Sequence, residues 1–434
     1  MHTTPSRPDR SLIRIALGLS LVALVAFPAT SLVGAAGADK VPVGTPEAAG
    51  LSAKRLQRID DVMHRAIETD QISGAVTLVA RHGQIAHFES HGLRDLESGL
   101  AMEKDTIFPI ASMTKPVTGV AILMLVEEGR VRLTDPVSRF VPEFTDTRVA
   151  IRRPAEGSDE PEIYLVPADR EITIRDLMTH TSGLVSGGAG SQEAGRVAPR
   201  DGTGTVGEWV TALGAAPLDF QPGMAWAYSG LAGIDTLGRV VEVASGLTFD
   251  EFLRQRIFEP LGMVDTGFNV PAAKMERVVT LYGRTSDGLE RRAVPEWVAT
   301  GTLHSGGGGL WSTAEDYLQF AQMLVNQGEL GGVRLLGSRT VGVMASNHVG
   351  DLFATSARTG GRPGMGFGLT VEVVLDAVAA QDNRSNGSYA WRGAFGTAFW
   401  VDPAEDMTAI MMVQTPGGPL RTDFENAVRQ AIVD

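Results

Sequence analysis

Apolar side chains occupy nearly every turn face of residues 117–127, where Val117, Val120, Ala121, Ile122, Leu123, Met124, Leu125 and Val126 sit among helix formers. A helix that is apolar all round belongs inside a core, whereas one with a single apolar stripe lies upon it. Pro116 sets where this helix begins. Lacking an N–H, it is tolerated only in the first turn, which places Ser112 at the helix mouth. Upstream, Leu56, Ile59, Met63 and Ile67 recur at helical spacing behind Ser52, predicting a helix with Ser52 as its N-cap. Residues 74–80 and 84–91 read as two strands joined at Arg81-His82-Gly83.

The middle of the chain differs in character. Residues 133–144 are punctuated by proline, and 151–170 are charged and irregular, with Pro154, Pro161 and Pro167. A short helix follows Thr173, which with Asp176 forms an acidic relative of the capping box, and it breaks at His180-Thr181-Ser182-Gly183. Residues 185–207 show no periodicity, as in a lid or a disordered loop. The segments 151–170 and 185–207 are expected to border a pocket and to set what it accepts. Helices are predicted over 231–244 and 249–258, so roughly 135–300 reads as a mainly helical lobe.

After the glycine run 306–309, Ser312-Thr313-Ala314-Glu315 has the form of a capping box opening a helix to Gln327, with Gly328 as its stop. Strand patterns return at 368–374, 394–401 and 407–414, the last two joined across Asp402-Pro403, and a final helix is predicted over 424–433. Sheet sequence at both ends with helices between requires the two ends to pair. The expected class is α/β, an antiparallel sheet built from the N- and C-terminal parts and flanked by helices, plus the helical lobe.

Composition narrows the partners. The chain of 434 residues carries a formal charge of −13, with 43% hydrophobic and 21% charged residues, as in a globular protein with a sizeable core. An acidic balance argues against nucleic acid or an anionic membrane surface as a partner. There is no cysteine, hence no disulfide, thiolate metal site or catalytic thiol. Arg7, Arg10 and Arg14 lead into an apolar run from Ile15 to Phe27 and small residues ending Ala36-Gly37-Ala38. That pattern predicts an export signal over 1–38, a secreted or periplasmic protein comprising 39–434, and no stable membrane span once the signal is removed.

Candidate chemistry starts at Ser112-Met113-Thr114-Lys115. Residues three apart share a helical face, so the Lys115 amine can reach the Ser112 hydroxyl and help it act as a nucleophile. By itself the spacing also fits a capping serine beside a snorkelling lysine. Context favours chemistry: of Lys40, Lys54, Lys104, Lys115 and Lys274, only Lys115 has a serine three positions before it, and it lies in an apolar helix. Tyr228 follows the turn Gln221-Pro222-Gly223 and precedes the 231–244 helix, a setting for a phenol working as acid or base or for one packed at a lobe boundary. Trp391-Arg392-Gly393-Ala394 opens the C-terminal hairpin. A glycine there allows close backbone approach, and the Ala394 N–H could join the Ser112 N–H on a developing oxyanion.

Ser112-Met113-Thr114-Lys115, Tyr228-Ser229-Gly230 and Trp391-Arg392-Gly393, in this order, resemble the three motifs of the serine β-lactamase-related hydrolases, which include class C β-lactamases, D,D-peptidases and family VIII esterases. Supporting stretches are 177–184, Phe220-Gln221-Pro222-Gly223, 260–263, 306–310 and 399–403. The resemblance implies an acylated Ser112, shared general-base and general-acid work at Lys115 and Tyr228, oxyanion N–H groups from Ser112 and Ala394, and substrate contacts at Trp391, Arg392, Gly393 and Gly230. It implies no cofactor. Gly230 stands where β-lactamases and peptidases usually have asparagine, and Trp391 where they have the lysine of Lys-Thr-Gly; the tryptophan form resembles the esterases. The expected substrate is a small ester or amide, with esterase ranked above amidase or peptidase and β-lactamase last. A non-catalytic ligand-binding homologue is the rival class. No metal site is expected: His82, His87 and His91 share the hairpin, but no carboxylate pattern joins them.

Overall fold

A computed structural model describes residues 1–2, 38–154, 162–200, 204–295, 301–415 and 417–434. The export signal expected over 1–38 thus falls almost wholly outside the described residues. Within Gly37–Asp434, the sheet is built from β1 (Gly74–Arg81), β2 (Gln84–Asp95), β3 (Leu100–Ala101), β4 (Met365–Phe367), β5 (Glu372–Val374), β6 (Tyr389–Arg392), β7 (Ala398–Asp402) and β8 (Met407–Val413). Their spatial order is β4-β5-β6-β7-β8-β1-β2-β3. The ends of the chain meet at β1 and β8, antiparallel from Ala75 opposite Val413 to Arg81 opposite Met407. Every residue of β1 is buried, because both faces of this central strand are covered.

The helices that frame the sheet and the site are α1 (Ala53–Glu68), α2 (Thr114–Glu127), α3 (Ala232–Ser245), α4 (Ala314–Val325) and α5 (Leu420–Arg429). Alternation along β1 divides the core in two. Val76, Leu78 and Ala80 pack with α2 and α4 residues such as Val120 and Leu318, while Ala75 and Val79 pack with Ile59 and Met63 of α1 and Phe424 of α5. α2 is buried from Thr114 to Leu125, as its all-round apolar surface requires. Among the described residues no helix is long and apolar enough to cross a membrane.

Several boundaries differ from the sequence reading. Arg148–Arg153 and Glu162–Pro167 pair as a hairpin, Arg148 opposite Pro167, where irregular chain was expected, and Leu281–Thr285 with Gly288–Arg292 forms another; the 135–300 region therefore mixes helices with two hairpins. Residues 185–207 contain the helix Ala189–Val197 and the start of Val206–Leu213. α4 is capped by Thr313, whose hydroxyl accepts from Asp316 N–H, because Ser312 is held one residue earlier in a strand. Of the expected strand 368–374 only β5 is strand; residues 368–371 form the turn from β4, in which Thr370 takes φ 72°. β7 begins only at Ala398, leaving Ala394 in the β6–β7 turn, and α5 begins at Leu420 rather than 424.

Candidate active site

Ser112 is placed by the strand before it. Phe108 and Pro109 pair with Ser312 and Trp311, and Ile110 N–H donates to Leu310 O at 3.0 Å. Ala111 then takes φ 46°, a left-handed conformation that costs a residue with a Cβ about 1–3 kcal/mol and persists only where packing imposes it. The resulting turn, Ala111–Met113, runs into α2 and turns the Ser112 hydroxyl toward a cleft of about 390 Å³. Pro116 lies in the first turn of α2, as its missing donor dictates.

Two side chains meet at Ser112 Oγ. Lys115 Nζ donates to it at 3.0 Å and Tyr228 Oη at 2.8 Å. The same Nζ stands 5.0 Å from the Tyr228 ring centroid. Lys115 is fully buried, and its amine also donates to Gly307 O at 2.5 Å. That carbonyl is fixed from behind. Asp235 on α3, wholly buried, accepts from Gly307 N–H and from Ser305 Oγ, each at 2.8 Å, and from Arg200 Nη1 at 2.7 Å. Thr118 Oγ1 holds Gly306 O at 2.8 Å. The glycine run is explained by this approach: a Cβ at Gly307 would lie 2.9 Å from Leu231 Cα.

Tyr228 is positioned through His180. Ala227 N–H donates to His180 O at 3.1 Å and Ser229 N–H to His180 Nδ1 at 3.3 Å. The imidazole packs 4.8 Å from the Tyr228 ring and against Trp226, Phe367 and Trp391. Burial, followed by the nearby Lys115 charge, holds its pKa well below 6.5. It is a neutral spacer that secures a turn, since its Nδ1 is engaged by backbone and its Nε2 faces no partner among the described residues.

The remaining sequence-predicted residues are placed as follows. Trp391 is buried and lines the cleft with Trp226 and Phe353, its ring 5.6 Å from that of Tyr228. Ala394 lines the cleft near Ser112. Gly393 also lines it, but its missing side chain answers to the chain itself: a Cβ there would meet Thr397 Oγ1 at 2.2 Å and Ile110 O at 2.4 Å. Gly230 is not among the lining residues, and a Cβ on it would touch only Tyr228 Cε1, at 3.9 Å. Arg392 and Arg362 stand at the rim and share the carboxylate of Glu372, at 3.2 and 2.5 Å. Burial of Glu372 would raise its pKa, but Arg362, Arg392 and Arg384 outweigh it and hold the group well below the usual carboxylate range.

Neither 151–170 nor 185–207 contributes a described residue to the cleft wall, which comes instead from Phe353, Thr359 and Arg362; residues 155–161 and 201–203 lie outside the described residues. Asp235, Arg362 and Glu372 were missed. The only signal for Glu372 was a carboxylate set inside the apolar run Val371 to Val374.

A family model described as beta-lactamase matches residues 59–433. The chain belongs to the beta-lactamase family. Members similar to it include Esterase EstB of Burkholderia gladioli, 34% identical over 88% of this chain and 97% of its own. The lovastatin esterase of Penicillium rubens is 28% identical over 86% and 97%. Among solved structures, EstCE1, described as a hydrolase with promiscuous acyltransferase activity, superposes with a TM-score of 0.73 at 27% identity, covering 88% of this chain and 99% of that one. The beta-lactamase fold accounts for the antiparallel sheet closed by both chain ends, and the family for a serine hydrolase.

Proposed function

We propose that the chain is an esterase that forms an acyl-enzyme on Ser112. The observation carrying this reading is the meeting of one hydroxyl with a buried amine at 3.0 Å and a phenol at 2.8 Å at the floor of an aromatic-walled cleft. With the Lys115–Tyr228 pair holding one proton fewer than an ammonium plus a phenol, Ser112 Oγ attacks the ester carbonyl carbon while its proton passes to the pair. The carbonyl oxygen takes up the displaced electron pair and is received by the Ser112 and Ala394 N–H groups. Collapse re-forms the carbonyl and breaks the bond to the alkoxy oxygen, which leaves as alcohol with the proton held by the pair. Water then repeats the sequence on the acyl-Ser112 ester and releases the acid.

The esterase names of EstB and the lovastatin esterase support an ester substrate over an amide or a β-lactam. So does Trp391, which presents an indole where a carboxylate-binding lysine would stand. The arginine-led apolar run at the start of the chain supports an exported enzyme. The test is hydrolysis of p-nitrophenyl butyrate. Turnover by the native chain, its loss in Ser112→Ala, and slow or absent turnover of a chromogenic cephalosporin are expected. Equal ester turnover in Ser112→Ala removes the mechanism and leaves a ligand-binding homologue as the reading.

A further inference from the structure

On the face of the sheet away from Ser112, α1 crosses β1 and β2 above a cluster of ligand-type side chains. His87, Glu89 and His91 alternate along β2 and so project from one face, and Thr77 of β1 lies opposite Glu89. Thr77 shares that face with Ala75 and Val79, which pack under α1, whereas Val76 and Leu78 face α2. From α1, Asp60 and His64, one turn apart, reach down on the same group. His91 Nε2 lies 3.8 Å from Asp60 Oδ1, and the His64 and His91 ring centroids are 5.8 Å apart.

We propose that Asp60, His87 and His91 form a binding site for a divalent transition metal of the zinc class. One donor atom from each lies within 4.8 Å of the other two. Bonds of about 2.0–2.1 Å to a tetrahedral ion place ligand atoms about 3.3 Å apart, so side-chain rotation of about an ångström closes the set. Two imidazoles with one carboxylate suit zinc, cobalt or nickel over magnesium or calcium, which take oxygen ligands.

Thr77 Oγ1 lies 2.8 Å from His87 Nε2 and 3.1 Å from His91 Nε2, so both ring nitrogens already converge on one point. Asp60 Oδ1 is buried with no hydrogen-bond partner among the described residues. A cleft of about 350 Å³ lined by Asp60, His87 and Glu89 supplies the entry path.

Bound there, the ion ties α1 to the hairpin and stabilises the sheet without touching the hydrolytic site. The test uses the full chain without a histidine tag, freed of metal by a chelator. Titration with Zn²⁺ by calorimetry and with Co²⁺ by its visible absorption is expected to give one equivalent, with a rise in Tm. Asp60→Asn, at a half-exposed position that leaves the fold intact, is expected to weaken binding at least tenfold and to remove the Tm shift, while Ser112→Ala binds as the native chain does. No saturable binding, or a stoichiometric site of unchanged affinity in both Asp60→Asn and His91→Gln, overturns the proposal.

Discussion

Two glycines of the site motifs, Gly393 and Gly230, have opposite tolerances, and substituting each with alanine separates fold from chemistry. In Gly393→Ala the new methyl would lie 2.4 Å from Ile110 O and 2.2 Å from Thr397 Oγ1. Thr397 can rotate, although it then surrenders its bond to Ile110 O. Ile110 O is backbone and also receives Met113 N–H at 3.0 Å, so it moves only with the turn that carries Ser112. Restoring an ordinary contact requires a displacement of about 1 Å, at about 1–3 kcal/mol for an overpacked site. A misplacement of that size at a reacting group lowers kcat/KM by about a hundredfold. Gly230→Ala meets only Tyr228 Cε1 at 3.9 Å, an ordinary van der Waals contact, and should stay within about threefold of the native rate, as surface-like substitutions do. The assay is p-nitrophenyl butyrate hydrolysis on both variants, with thermal unfolding to establish that each is folded. A folded Gly393→Ala enzyme with near-native kcat/KM refutes the claim that this glycine fixes Ser112 through Ile110.

Two further outcomes follow from buried charges. Asp235→Ala strips Gly307 N–H and Ser305 Oγ of their acceptor and leaves Arg200 unpaired, so urea denaturation should show a loss of about 3–5 kcal/mol together with a fall in ester turnover; the double variant with Arg200→Ala should be less destabilised than Asp235→Ala alone, and an additive double variant contradicts the pairing. Burial pushes the Asp316 carboxyl from 3.8 up to about 6, so between those values the folded chain keeps a proton that the unfolded chain has released, and the group's contribution is complete below pH 3.8 and lost as pH rises through 6. Asp316→Asn should therefore match the native stability near pH 4 and exceed it at pH 7 by up to about 3 kcal/mol, and a gap that does not widen with pH in denaturant melts rules this out.

Legibility in the sequence tracked how local the determinant was. The all-apolar run at 117–125, the 3.6-residue recurrence behind Ser52 and the Thr173–Asp176 box each act within one or two turns, and each is present with its expected partners. The pairing of β1 with β8 followed from strand patterns at both chain ends. What was misread depends on distant contacts. Residues 148–153 and 162–167 pair although Arg148, Arg152, Arg153 and Glu162 give them no apolar alternation, and 189–197 is helical with Ala189 and Ala194 as its buried anchors rather than large apolar residues. At the site, Ser112, Lys115 and Tyr228 were visible through the resemblance of their motifs, taken together and in order, to those of a known family. Asp235 and Glu372 were not, since a buried carboxylate is recognisable only once the arginines that neutralise it are in place. The same holds for Asp60, which comes to His87 and His91 across a helix–sheet contact and not along the chain.

Substrate charge is constrained by the same buried carboxylates. A free carboxylate entering the cleft must give up water, and it recovers that cost only from an unshared cation or donors aimed at it. Arg362 and Arg392, the cations at the rim, already share Glu372, while Lys115 is enclosed between Ser112, Gly307 O and the Tyr228 ring. The indole of Trp391 adds apolar surface where a lysine would add charge, and the chain as a whole is acidic. A neutral ester gains from burying its acyl chain against Trp226, Phe353 and Trp391 at about 25 cal/mol per Å² and has no charge to desolvate. Extending the acyl chain should therefore raise kcat/KM until the cleft of about 390 Å³ is filled, and replacing the terminal methyl by a carboxylate should lower it. An enzyme that instead prefers the acidic ester would mean that substrate displaces Arg392 from Glu372, turning the rim from a neutralised pair into the recognition element.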